Sequence, residues 1–153
     1  MSITKQTSDA LARRLAAIPA EVAERIKPAI AKSVNEVAAD ARTLAEASRD
    51  DGDLIGSIEA TAPGGTTPAY GSDGQRKLHD LQGAVTAGAP DVRHAHLVEL
   101  GTRPHVNGGQ FAGTQHPGTE AQPFLLPAWR LNKRRVESRV NRAIRKAIRE
   151  ASQ

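Results

Sequence analysis

Cysteine is absent from the 153 residues, which excludes disulfide staples and thiolate metal sites and leaves the fold indifferent to redox compartment. Aromatic side chains are almost as scarce: two Phe, one Trp and one Tyr make up 3% of the chain. Any core must therefore be built from Ala, Leu, Val and Ile. Ala-rich helices pack closely but bury little area each, so neighbouring subunits are expected to supply part of the stability. No apolar run approaches the roughly 18 residues that a membrane span needs, and Met1 to Leu15 hold no apolar signal-peptide core. These absences predict a soluble protein that starts in the cytoplasm and has no membrane partner.

The length predicts one domain, or one domain with a helical extension. Net charge is +4 but unevenly placed. From Trp129 onward there are nine Lys or Arg against two Glu, or +7, while the preceding residues hold 12 basic and 15 acidic side chains, or −3. Such asymmetry points to a basic helix with an acidic partner, either another subunit's surface or nucleic acid.

Leu11, Leu15, Ile18, Val22 and Ile26 recur at steps of three and four, and Ile30, Val34, Val37, Ala41 and Leu44 continue the stripe. This period predicts helix over the first 47 residues, with Thr7 or Ser8 as cap. Pro19 and Pro28 each remove an amide donor, so breaks or kinks are expected near Ile18 and Lys27. Ser57 to Ala62 alternates polar and apolar residues as a half-buried strand does, and Leu81 to Gly88 reads as a second strand. The two are expected to pair antiparallel across a long, mobile loop that includes Pro63 to Pro68. His94 to Leu100 reads as one or two helical turns stopped by Gly101. Thr102 to Gln122 holds four Gly and two Pro with little periodicity, which reads as a long loop without structure of its own. A last helix follows Pro123 and Pro127, which are tolerated at its start. Leu131, Val136, Val140, Ile144 and Ile148 form its apolar stripe. The predicted class is α+β: a long kinked N-terminal helix (1–48), a small antiparallel sheet with a long Gly-rich loop (49–122), and a basic C-terminal helix (123–153).

Three stretches together resemble the tail-completion, or minor tail component, family of long-tailed bacteriophages. Gly52-Asp53-Leu54-Ile55-Gly56-Ser57-Ile58 resembles the family's Gly-x-Leu-x-x-Ser-Ile passage from helix into sheet. His96-Leu97-Val98-Glu99-Leu100-Gly101-Thr102 resembles its Val-Glu-Phe-Gly-Thr signature, with Leu100 where Phe is commoner. Gln122 to Trp129 resembles Pro-Phe-Leu-Arg-Pro-Ala before a closing helix, with Leu126 in place of the Arg. The resemblance covers about residues 50 to 150. It implies a structural virion protein of the head–tail junction or tail end, assembled in the host cytoplasm as a ring. Its partners would be copies of itself, the connector, the tail terminator and the tail tube. The resemblance also points to Leu54, Ser57, Ile58, Glu99, Gly101, Thr102, Pro123, Phe124, Pro127 and Trp129 as interface or structural residues.

The residues themselves fit that implication. Gly101 can take the left-handed conformation that ends a helix, and Thr102 can bond the freed backbone. Phe124, Leu125 and Trp129 are expected to form the cluster that anchors the last helix. Catalysis is not expected: Glu99 has no nucleophile or phosphate cradle near it in sequence, and a structural ion pair, for example with Arg103, explains it better. His94 and His96 would share one face of a strand, where they could share a zinc ion, but on a helix they face apart. Surface or interface histidines are the simpler reading, with no metal and no cofactor. The alternative function is DNA binding through the last helix. Arg134, Arg135, Arg139, Arg142, Arg145 and Lys146 are its candidate contacts to DNA or to another subunit, although stacking aromatics and groove-reading motifs are lacking.

Overall fold

Val22, Ile26, Val37 and Ala41 are buried along one face of a single helix, α1 (Ala20–Ala45), in a computed structural model that describes residues 20–48, 50, 52–69 and 74–151. The expected cap and the break near Ile18 lie outside the described residues. At Pro28 the helix runs on. Pro28 donates nothing to the carbonyl four residues back, but α1 is held on both sides of it: Val22, Ala23 and Ile26 before it and Ser33 and Val37 after it are buried.

What buries them is largely α4 (Leu125–Ala151). Contacts between Arg25 and Glu150, Ser33 and Arg139, and Asp40 and Asn132 show the two helices running antiparallel. The seam is partly polar. Asn132 is fully buried, and its amide donates to Asp40 Oδ2 at 2.6 Å and to the Ala128 carbonyl at 2.9 Å. Arg139 donates to both Glu36 oxygens, at 2.8 and 2.7 Å, and to Ser33 Oγ at 2.9 Å. Part of the acidic partner that the basic helix calls for is therefore α1 itself.

The hydrogen bond from Arg139, followed by the charges of Arg139, Arg135 and Lys32, lowers the Glu36 pKa from its ordinary 4.5 against a smaller opposing effect of burial. A carboxylate depressed in the folded state stabilises above its unfolded pKa and loses that contribution as pH falls through the folded value. Acidification below 4.5 should therefore lower the melting temperature of the parent more steeply than that of Glu36→Gln. Parallel acid slopes would show that this pair adds nothing to stability.

A 3-10 turn (Glu46–Ser48) and the one-turn α2 (Asp53–Gly56) lead into β1 (Glu59–Thr61), which pairs antiparallel with β2 (Ala84–Thr86). The register sets Glu59 opposite Thr86 and Thr61 opposite Ala84. The described parts of the connection, where a long mobile loop was expected, continue the pairing. Thr66 bridges Lys77, Gly64 N–H donates to the His79 carbonyl, and Leu78, itself buried, donates to Gly65. The main core joins Val37, Ala38 and Ala41 of α1 to Leu54, Ile58, Ala87, Ala95, Phe124 and Ala128. A smaller cluster, Val22, Ile26 and Ala147, closes the other end of the helix pair. The α+β class and the order of its elements agree with the sequence reading, with two small sheets in place of one.

Candidate assembly surfaces

The motif around Leu54 is structural glue. Leu54 and Ile58 are buried in the main core. Ser57 Oγ between them donates to the Leu54 carbonyl at 2.7 Å and accepts from Gly88 N–H at 3.0 Å, tying α2 to the end of β2.

α3 (Ala95–Leu100) ends at Gly101, whose φ of 68° and ψ of 177° lie outside the left-handed helical pair expected at a helix stop. The reason is a crossing segment: a Cβ at Gly101 would lie 2.6 Å from the Thr119 carbonyl oxygen and 2.8 Å from Ala121 N. Gly101→Ala should therefore cost about 1–3 kcal/mol, the range of a strained backbone site, read as a lower urea midpoint. A variant as stable as the parent would mean that the crossing can move aside. Thr102 bonds across to Thr119 rather than back to α3. The two backbones exchange hydrogen bonds at 3.0 and 3.1 Å, and their hydroxyls lie 3.0 Å apart.

From that crossing projects an arm, Thr102 to Gln122, which replaces the structureless loop expected from its composition. β3 (His105–Val106) pairs antiparallel with β4 (Gln115–His116), and a 3-10 turn (Gly109–Phe111) lies between them. Asn107 binds Thr114 through both backbone and side chain, at 2.9 and 2.8 Å. No residue from Gly101 to Pro123 is buried, so the arm has no apolar period to read. Near its tip Phe111 is 65% exposed and Val106 58%. The only sequence signal is an isolated aromatic, in a chain with few of them, set in a polar segment.

Glu99 caps α4. Its Oε2 accepts from the amides of Phe124 and Leu125 at 2.8 and 2.9 Å, and its Oε1 accepts from Leu126 at 2.9 Å. The next residue, Pro127, has no amide, and Ala128 N–H starts the helical ladder on the Phe124 carbonyl. Every orphan donor of the first turn is thus satisfied or missing, and the carboxylate lies at the positive end of the helix dipole. No ion pair joins Glu99 to Arg103 among the described residues. A signal was available: no Ser, Thr, Asp or Asn precedes this helix, so its cap must come from elsewhere in the chain.

Of the three residues expected to anchor α4, Phe124 is buried and Leu125 packs partly against the core. Trp129 is 42% exposed and lines an apolar groove of about 330 Å³ with Val34, Val85, Leu126 and Val136. Gly83 forms its floor against α1: a Cβ there would stand 2.7 Å from Val34 Cγ1.

The candidate cations divide. Arg139 and Arg135 face α1, where they meet Glu36 and Asp40. Lys146 is 3.8 Å from Glu150, one turn on. Arg134, Arg142, Arg145 and Arg149 are exposed, follow one another along a single outer face with Ser138, and form no ion pair among the described residues. The expected pair of His94 and His96 is separated. His105 and His116 stack across the arm with ring centroids 4.9 Å apart, and His94 lines the same 550 Å³ groove beside α3, whereas His96 faces another cavity. Among the described residues no group of three metal-ligating side chains is placed to hold an ion.

A family model described as "Bacteriophage HK97-gp10, putative tail-component" matches residues 9–101. No curated protein and no solved structure gives a match. The matched stretch takes in α1, both strands of the first sheet and α3, including the motifs around Leu54 and Glu99, and stops where the arm begins. A match over more than half of its length, in a fold of this class, places the chain in the HK97-gp10-like family of bacteriophage tail components.

Proposed function

We propose that this chain is a structural subunit of the head–tail junction or tail end, which joins or completes the tail as a ring of identical copies within the virion. The supporting observation is the arm. About twenty ordered residues, anchored at both ends, bury none of their side chains in their own chain. Fixing backbone costs roughly 1–2 kcal/mol per residue, and a segment that offsets little of this internally is suited to covering a neighbouring surface. Its partners are then further copies and the adjoining connector, tail terminator or tail tube, and its work is mechanical rather than catalytic. Negative-stain microscopy and native mass spectrometry of the purified chain should find closed rings. A monodisperse monomer at micromolar concentration and above would end this reading.

The exposed file of Arg134, Arg142, Arg145 and Arg149 supports a second reading, non-specific contact with DNA. Four phosphate contacts imply an affinity for random duplex that falls about 100-fold between 50 and 200 mM salt. Fluorescence anisotropy at both concentrations measures it, and no binding at the lower one removes DNA contact.

A further inference from the structure

We infer that the Phe111 tip of one copy's arm seats in the Leu126–Trp129 groove of the next copy; this rests on the ring reading and names the surfaces that close it. Each chain carries both halves of an apolar contact, and among the described residues they do not meet. Phe111 is 65% exposed, Val106 58%, Leu126 48% and Trp129 42%, and neither tip residue lines its own chain's groove. In a chain with so few aromatic residues, two of them left this open on separate surfaces are out of proportion to scattered surface hydrophobes. The groove, at about 330 Å³, is larger than a phenyl ring needs, and its walls of Val34, Val85, Leu126 and Val136 are apolar.

The amount of surface also fits a second copy. One side of a standard interface contributes roughly 20–30 residues, and the arm from Thr102 to Gln122 supplies about twenty, none of them buried in its own chain. A tip on one surface and a socket on another make a heterologous contact, and repeated head to tail such a contact closes into a ring when the rotation allows. The arm is ordered before it docks, through the Thr102–Thr119 and Asn107–Thr114 bonds, so binding does not have to supply that order.

The absence of cysteine from the chain gives a clean test. Full-length Phe111→Cys and Leu126→Cys chains are prepared separately, mixed and mildly oxidised, while Phe111→Asp is compared with the parent by sedimentation velocity. Both cysteine positions are exposed in the parent, so the fold should tolerate them. The expected result is a mixed disulfide dimer in several-fold excess over either self-linked product, together with loss of rings in Phe111→Asp. Rings that survive Phe111→Asp and give no mixed disulfide overturn the tip-in-groove contact while leaving ring assembly intact. Predominant self-linking through Phe111→Cys, or an internal disulfide in a chain carrying both substitutions, overturns it as well. A parent that never assembles overturns this contact and the ring together.

Discussion

Phe124→Ala should lower the unfolding free energy by about 3–5 kcal/mol, the usual cost of emptying a buried phenyl site. Phe124 is 1% exposed and is the largest fully buried side chain among the described residues. It packs in the cluster that joins α1, the start of β1, α3 and α4, so its removal loosens every layer at once. The surrounding Ala38, Ala41, Ala87, Ala95 and Ala128 are too small to fill the space. Domains of this size have only about 5–15 kcal/mol to lose, so the loss should appear as a melting temperature lower by roughly 10 °C and as poor soluble yield. Urea unfolding gives the number. An unchanged midpoint would mean that α4 is anchored elsewhere. Trp129→Ala is the control: partly exposed in its groove, it should cost far less in the isolated chain.

Glu99→Ala should cost about 2–3 kcal/mol, above the usual loss of a single helix cap because the lost acceptor is charged. It leaves three amides of the first turn of α4 without their acceptor, two of them part-buried. Glu99→Gln retains one carbonyl oxygen and should recover less than half of that loss. Arg103→Ala separates this role from the ion pair suggested by sequence: it should lie within about 0.5 kcal/mol of the parent, as exposed side chains do. Equal losses for Glu99→Ala and Arg103→Ala, read by thermal melting, would replace the cap with the ion pair.

These two residues also explain how the arm is presented. Glu99 ties the end of α3 to the start of α4, and Gln122 N–H donates to the Val98 carbonyl at 2.8 Å beside it. Both ends of the arm are therefore fixed to α3, through Gly101 N–H to the Leu97 carbonyl and Gln122 N–H to the Val98 carbonyl. In the proposed ring, stability and assembly are coupled at this corner. Variants that weaken the cap should impair assembly through the arm's foothold, whereas Phe111 variants should impair it without any change in melting of the monomer.

By itself the sequence determined both long helices, the strand pair, the short α3 and the family. These are set by local period and by residue type: three-and-four spacing for α1 and α4, alternation near Ile58, a glycine after Leu100. Each survives a change of neighbours, and each can be seen within a short window. Only the tertiary structure decided what lay between windows. Helix α1 continues through Pro28 because α4 holds it on both sides. The arm is ordered by Thr and Asn hydrogen bonds and by glycine turns, which leave no apolar pattern because nothing in the arm is buried. Glu99 finds its partners some twenty-five residues away, and Asn132 finds Asp40 across ninety-two. The basic helix has its charges sorted in the same way, some spent on α1 and some left facing out. A window of sequence carries the preferences of a segment, but the partner of a carboxylate or the lining of a groove is set by which segments meet.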